Sequence, residues 1–206
     1  MGLSRFLYIP NIIGYFRILL MFLSYTFSET SPLGFLSCYF TSQFLDMFDG
    51  MAARKFNQST KFGAMLDMVT DRCSTIGLML ILSHKLPQYT ILCHIFVWID
   101  ICSHWAHMLA QLQAGSTSHK LVTSGPALLQ YYYKTKWFMV LLIFGAEGFP
   151  VSTIMTTFTE YPYLVQIFTI LSHIGFPLFL MKHFINIIQF ANASKMLDEV
   201  KYQKAN

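Results

Sequence analysis

Residues 46–71 read DMFDGMAARKFNQSTKFGAMLDMVTD. Four of the ten acidic residues of the chain lie in this stretch, Asp46, Asp49, Asp67 and Asp71, set among Phe, Met, Leu and Val. At about 100° per residue, Asp46, Asp49, Gly50 and Ala53 share one face of a helix. Gly63, Asp67 and Asp71 recur at four-residue steps and form a stripe on a second helix. The polar turn between them, Lys55 to Lys61, carries Asn57, Gln58, Ser59 and Thr60. Two antiparallel helices joined there bring four carboxylates face to face.

Carboxylates in apolar surroundings stay ionised only if something neutralises them. Few cations lie near in sequence (Arg54, Lys55, Lys61, Arg72), so ion pairing alone does not account for the four acids. Hard divalent cations such as Mg²⁺ or Mn²⁺ are the usual partners of all-oxygen ligand sets. Two such ions can share four carboxylates and keep open positions for a phosphorylated ligand. The small residues on the same stripes leave room for a ligand to approach the helix backbone.

The rest of the chain bounds the setting. At 206 residues it has length for one domain, spanning 1–206. It is 54% hydrophobic and 17% aromatic, with a mean hydropathy of +0.48. Only 12% of residues are charged, against roughly 25% in soluble domains, so an integral membrane protein is expected. The net charge of +4 gives no reason to invoke nucleic acid. Cys38, Cys73, Cys93 and Cys102 lie in apolar segments without C-x-x-C pairing and read as reduced, buried residues. The N-terminal apolar run carries Pro10, Asn11 and Arg17, and no cleavable signal peptide is expected there.

A hydrocarbon core of about 30 Å takes about 20 apolar residues as a helix. On that measure six spans are expected, roughly 9–28, 34–54, 63–84, 89–112, 136–158 and 163–190, an all-α bundle. Breakers separate them: Pro32, Pro87, Gly115 with Gly125-Pro126, and Pro162. With a cytosolic N-terminus, ten Lys and Arg fall in cytosolic segments, and only Lys85 falls opposite. This positive-inside bias puts both termini and the Asp46–Asp71 turn in the cytosol. Arg17 in the first span and Arg72 beside Asp71 are candidates for counter-ion or substrate clamp, Arg17 rather the counter-ion.

The stretch as a whole fits D-x2-D-G-x2-A-R-x8-G-x3-D-x3-D at every fixed position: Asp46, Asp49, Gly50, Ala53, Arg54, Gly63, Asp67 and Asp71. On this motif the chain resembles the CDP-alcohol phosphotransferases. The resemblance implies transfer of a phosphorylated group from a CDP-linked donor to an alcohol, with release of CMP. It assigns Asp46, Asp49 and Asp67 to one metal ion and Asp46, Asp67 and Asp71 to the other, with Asp71 as general base. Gly50, Ala53, Arg54, Thr60 and Gly63 are the implied contacts to CDP-diacylglycerol. Thr60 reads equally well as a helix cap, and Asn11 in a Pro-Asn pair is implied to lie near the nucleotide.

Three further pieces are similar to the eukaryotic phosphatidylinositol synthases of that family. They are residues 63–75 (GAMLDMVTDRCST), Asp100-x2-Ser103-His104-Trp105-x-His107, and Gly115-x2-Ser118-His119-Lys120. Tyr131-Tyr132-Tyr133 also fits, whereas Ala146-Glu147 departs from the family's Asn-Glu pair. The acceptor implied is myo-inositol, and Asn11, Arg72, Asp100, His104 and Lys120 are candidate residues of the substrate pocket, Asn11 on the nucleotide side. By themselves Asp100 and His104, four apart on one helix face, can equally hydrogen-bond each other. The resemblance further implies an endoplasmic reticulum membrane, a cytosol-facing site and a homodimer. The rivals are a sister enzyme taking serine, glycerol 3-phosphate or diacylglycerol, and, well behind, a divalent-cation carrier.

Overall fold

The computed structural model describes residues 5–114 and 125–205, and among these every regular element is helical. They fall into two compact units, divided after His84. The first holds α1 (Ile9–Phe27), α2 (Pro32–Lys55) and α3 (Lys61–Lys85). The second holds a 3₁₀ turn (Pro87–Tyr89), α4 (Thr90–Ala114), α5 (Ala127–Lys134), α6 (Lys136–Met155) and α7 (Pro162–Ala205).

Local signals set the ends of the helices in the first unit. Ser31 caps α2, its hydroxyl accepting the Gly34 amide at 3.1 Å, and Pro32 follows at the position where a missing N–H costs nothing. Helix α2 stops at a left-handed residue, Asn57 (φ 52°). The Gln58 amide reaches back to the Ala53 carbonyl at 2.9 Å and the Asn57 amide to that of Arg54 at 3.4 Å. These two bonds satisfy carbonyls that the helix end would otherwise orphan. Thr60 then caps α3 by accepting the Gly63 amide at 2.9 Å, so its capping role is realised. The reversal that carries the acidic motif is thus encoded within Ala53–Gly63.

The three helices pack through small and polar residues alongside an apolar core of Met21, Phe35, Leu78, Met79 and Leu82. The buried face of α1 is Pro10, Asn11, Gly14, Arg17, Met21 and Ser24, a run at helical spacing. Ser24 donates to the Phe35 carbonyl at 2.9 Å and Ser42 to that of Arg17 at 2.9 Å. Gln43 donates to Ser74 at 2.8 Å, and Ser74 donates to the Tyr39 hydroxyl at 3.1 Å. Close approach with interhelical hydrogen bonds is how helices associate where burial in lipid gives no hydrophobic gain. Gly77 lies directly under the Tyr25 ring, and a Cβ there would collide with it. Gly77→Ala therefore displaces the Tyr25 ring and its 3.0 Å bond to the Ser74 carbonyl, at an expected cost of about 1 kcal/mol, read as a lowered melting temperature in detergent.

In the second unit α7 runs 44 residues and packs against α4 and α6. Gly145 lets α6 approach Leu178 on α7. Leu129, Tyr132, Leu142 and Ile185 form one apolar cluster, and Ala106, Ala110 and Ala193 another. The short helix α5, which carries the three tyrosines, is an element the span pattern did not foresee. Among the described residues, four helical stretches are long and apolar enough to cross a membrane: Ile9–Phe27, Pro87–Gln113, Lys136–Met155 and Pro162–Asp198. Helices α2 and α3 have the length, at 24 and 25 residues, but carry the charges of the acidic motif. Leu33, Ile91, Trp98, Phe144 and Tyr163 are all more than 60% exposed, an apolar exterior suited to lipid. The cysteines are free as expected, but only Cys93 is buried; Cys73 is exposed, because it lies on the outward face of α3.

Candidate active site

The four aspartates converge on one side chain. Arg17, on α1, is 1% exposed and reaches all of them. Its Nη2 lies 2.6 Å from Asp46 Oδ1 and 2.7 Å from Asp71 Oδ1. Its Nη1 lies 2.8 Å from Asp49 Oδ2 and 3.0 Å from Asp67 Oδ1. One planar fork thus ties two acids of α2 to two of α3, which a compact ammonium has no geometry to do. The neighbours counted from the sequence omitted this cation because it lies 29 residues before Asp46. Arg72 stands farther off, its Nη2 4.0 Å from Asp71 Oδ2.

The net charge of four carboxylates and one guanidinium is still strongly negative. Oxygen ligands from Asp46, Asp49 and Asp67 lie within 4.8 Å of one another. Three carboxylates at such separations, from two helices, suit a hard divalent ion. Asp46, Asp67 and Asp71 keep side-chain exposures of 42%, 48% and 32%, so solvent and solute reach them.

Beside the acids opens a cleft of about 540 Å³, counted with its open mouth. Asn11, Gly14, Gly50, Ala53, Thr60 and Gly63 line it, with Asp49 and Asp67 at its edge. The motif's small residues therefore do leave a space along α2 and α3. Arg54 is exposed and folds back over Gly50, where a Cβ would sit 3.5 Å from its Nη1. Gln58 anchors the rim by accepting the Ile9 amide at 2.9 Å. Asn11 is 1% exposed and donates through Nδ2 to the Arg5 carbonyl at 2.8 Å. Its Oδ1 is buried and has no hydrogen-bond partner among the described residues. That oxygen would lie 3.0 Å from a Cβ placed on Gly63.

The remaining candidates lie in the second unit. Asp100 is buried on α4, and His104 Nδ1 lies 3.4 Å from its Oδ1 and 2.8 Å from its carbonyl oxygen. Asn186 of α7 donates to Asp100 Oδ1 at 3.1 Å and accepts from Lys182 at 2.5 Å. Tyr133 donates to Gln189 at 2.8 Å, and Gln189 to the Ser103 carbonyl at 3.4 Å. His107 stacks on Tyr133 with ring centroids 5.8 Å apart. Lys182, Asn186 and Gln189 were missed in the sequence, although their i, i+4, i+7 spacing within an apolar helix is a legible polar stripe. Lys120, Ser118 and His119 lie outside the described residues.

Comparison with known proteins bears on the same motif. The family model for CDP-alcohol phosphatidyltransferase matches residues 7–192. The chain is 44% identical to the CDP-diacylglycerol–inositol 3-phosphatidyltransferase of Candida albicans, over 93% of this chain and 82% of that one. It is 39% identical to the human protein of that name, over 92% and 91% of the two chains. It is 38% identical to that of Saccharomyces cerevisiae, over 97% and 90%. No solved structure is a significant match. With the eight-position motif intact around a carboxylate cluster and the match running through nearly the whole length, the chain belongs to the CDP-alcohol phosphatidyltransferase family.

Proposed function

We propose that this chain transfers the phosphatidyl group of CDP-diacylglycerol to a hydroxyl of myo-inositol, giving phosphatidylinositol and CMP. The observation that carries this reading is the shared name of the relatives in yeasts and man, at 38–44% identity over most of each chain. The family model's span from 7 to 192 supports treating the chain as one catalytic membrane domain. All six helices longer than 18 residues would cross the bilayer, α2 and α3 with their acids near the cytosolic face. The basic-residue bias supports that orientation, with both termini cytosolic. An endoplasmic reticulum location and a homodimer belong to the same reading.

In this reading Asp46, Asp49 and Asp67 hold one divalent ion, and Asp46, Asp67 and Asp71 a second, Mg²⁺ or Mn²⁺. Such ions neutralise the oxygens of the phosphoryl group in transfer. The CDP moiety lies along the cleft, where Gly50, Ala53 and Gly63 exclude side chains and Arg54 offers its fork to the diphosphate. Thr60 lies at the cleft with its hydroxyl. Asn11 Oδ1 is a buried acceptor in want of a donor, and the exocyclic amine of cytosine is one. Asp71 takes the proton from the acceptor hydroxyl as its oxygen bonds to phosphorus. The bond from that phosphorus to CMP breaks, and CMP leaves with the electron pair. Asp100, His104, Arg72 and Lys120 are proposed on the acceptor side. The acyl chains stay in the lipid throughout.

The test is an assay of purified protein in detergent with CDP-diacylglycerol, Mn²⁺ or Mg²⁺, and radiolabelled myo-inositol. Metal-dependent label in the lipid phase with equimolar CMP is expected. CMP release only with serine, glycerol 3-phosphate or diacylglycerol would overturn the acceptor. No CMP release with any alcohol would favour the cation carrier. Asn11→Ala is expected to raise the KM for CDP-diacylglycerol about tenfold, the worth of one buried hydrogen bond to substrate, with little change in the KM for inositol.

A further inference from the structure

We propose that Arg17 is the resident cation of the acidic site. Its guanidinium gathers the four carboxylates while divalent ions are absent, and it competes with those ions for the same groups. The proposal rests on the reading that the site takes divalent metal, and on nothing about the acceptor.

Four observations carry it. Arg17 engages one oxygen from each of Asp46, Asp49, Asp67 and Asp71 at 2.6–3.0 Å. Its side chain is 1% exposed, so water does not share this work. The three aspartates whose oxygens suit a metal ion are all among the four that Arg17 holds. The cation comes from α1, while every carboxylate comes from α2 or α3.

The physical consequence follows from charge. Four carboxylates at these separations repel one another, and α2 and α3 would be pushed apart without a cation between them. A divalent ion bound to these oxygens at about 2.1 Å would stand against a guanidinium at hydrogen-bond distance from the same groups. Each cation therefore lowers the affinity of the other, and the coupling is reciprocal. Arg17 thereby holds the metal-free fold together and keeps metal affinity in a range where ions exchange.

The test uses the full chain, stripped of divalent ions in detergent, without substrates. Mn²⁺ binding is read from loss of the free-ion paramagnetic resonance signal, and stability from the melting temperature. Arg17→Gln is expected to bind Mn²⁺ about tenfold more tightly than wild type, since a positive charge has left the site. It is also expected to melt lower without metal and to gain more from Mn²⁺. Arg17→Lys keeps the charge without the fork and should fall between them. If Arg17→Gln holds its fold only when prepared in Mn²⁺, its affinity is read by back-titration with chelator, and that dependence supports the proposal. Unchanged or weaker Mn²⁺ binding by Arg17→Gln would overturn it, and would make Arg17 an aid to the bound ions. If that variant folds under neither condition, Arg17→Lys decides alone: affinity equal to or below wild type overturns the proposal. Failure of wild type to bind Mn²⁺ would overturn this proposal and the metal reading beneath it together.

Discussion

Asp71→Asn is expected to reduce CMP release by about a thousandfold while the protein remains folded, because the amide neither accepts the proton of the attacking hydroxyl nor supplies a carboxylate to the second ion. The substitution is nearly isosteric, and the amide oxygen of the new side chain can still accept from Arg17, which holds the native Asp71 at 2.7 Å. Melting in detergent should therefore move little. The loss should appear in kcat, with KM for CDP-diacylglycerol close to wild type. That split separates a proton acceptor from a residue that only shapes the cleft. Turnover within about tenfold of wild type would end the general-base assignment.

Stripping divalent ions with chelator is expected to lower activity by about three orders of magnitude, corresponding to the several kcal/mol that such ions contribute at a phosphoryl group. The cause is visible in the charges. A diphosphate entering the cleft meets Asp49 and Asp67 at its edge, with Asp46 and Asp71 behind and one guanidinium among them. Like charges at that range repel one another. Restoring Mn²⁺ or Mg²⁺ should restore turnover, and Asp67→Ala should require a higher concentration of either ion. Full activity in excess chelator would remove the two-metal reading and leave the cleft without an explanation for its acids.

The helix pair with its four acids was legible because the information is local. Ser31-Pro32, Asn57 and Thr60 set the helix ends by contacts within five residues, and the i, i+4 spacing of Asp67 and Asp71 fixes their shared face. Arg17 was legible as a buried charge, but its grip on all four carboxylates depends on how α1 docks against α2 and α3. No local pattern carries that. The Lys182–Asn186–Asp100 chain is hidden for the same reason, since its members are up to 86 residues apart. The six-span count came from apolar length, and the structure separates it into four helices that qualify on composition and two that trade apolarity for chemistry. Helix α5 was obscured because eight residues, three of them consecutive tyrosines, give too short a pattern to distinguish a helix from a loop.

The last helix has a practical use. Its 44 residues extend about 66 Å at 1.5 Å each, whereas a tilted crossing of the hydrocarbon takes only about 25 residues. If it makes one such crossing, about two fifths of this helix stands clear of the acyl chains. A 23.8 kDa membrane protein offers little mass for particle alignment in electron cryomicroscopy. A rigid helical domain grafted in register near Asp198 would continue the same axis. It would serve as a fiducial that turns with α7.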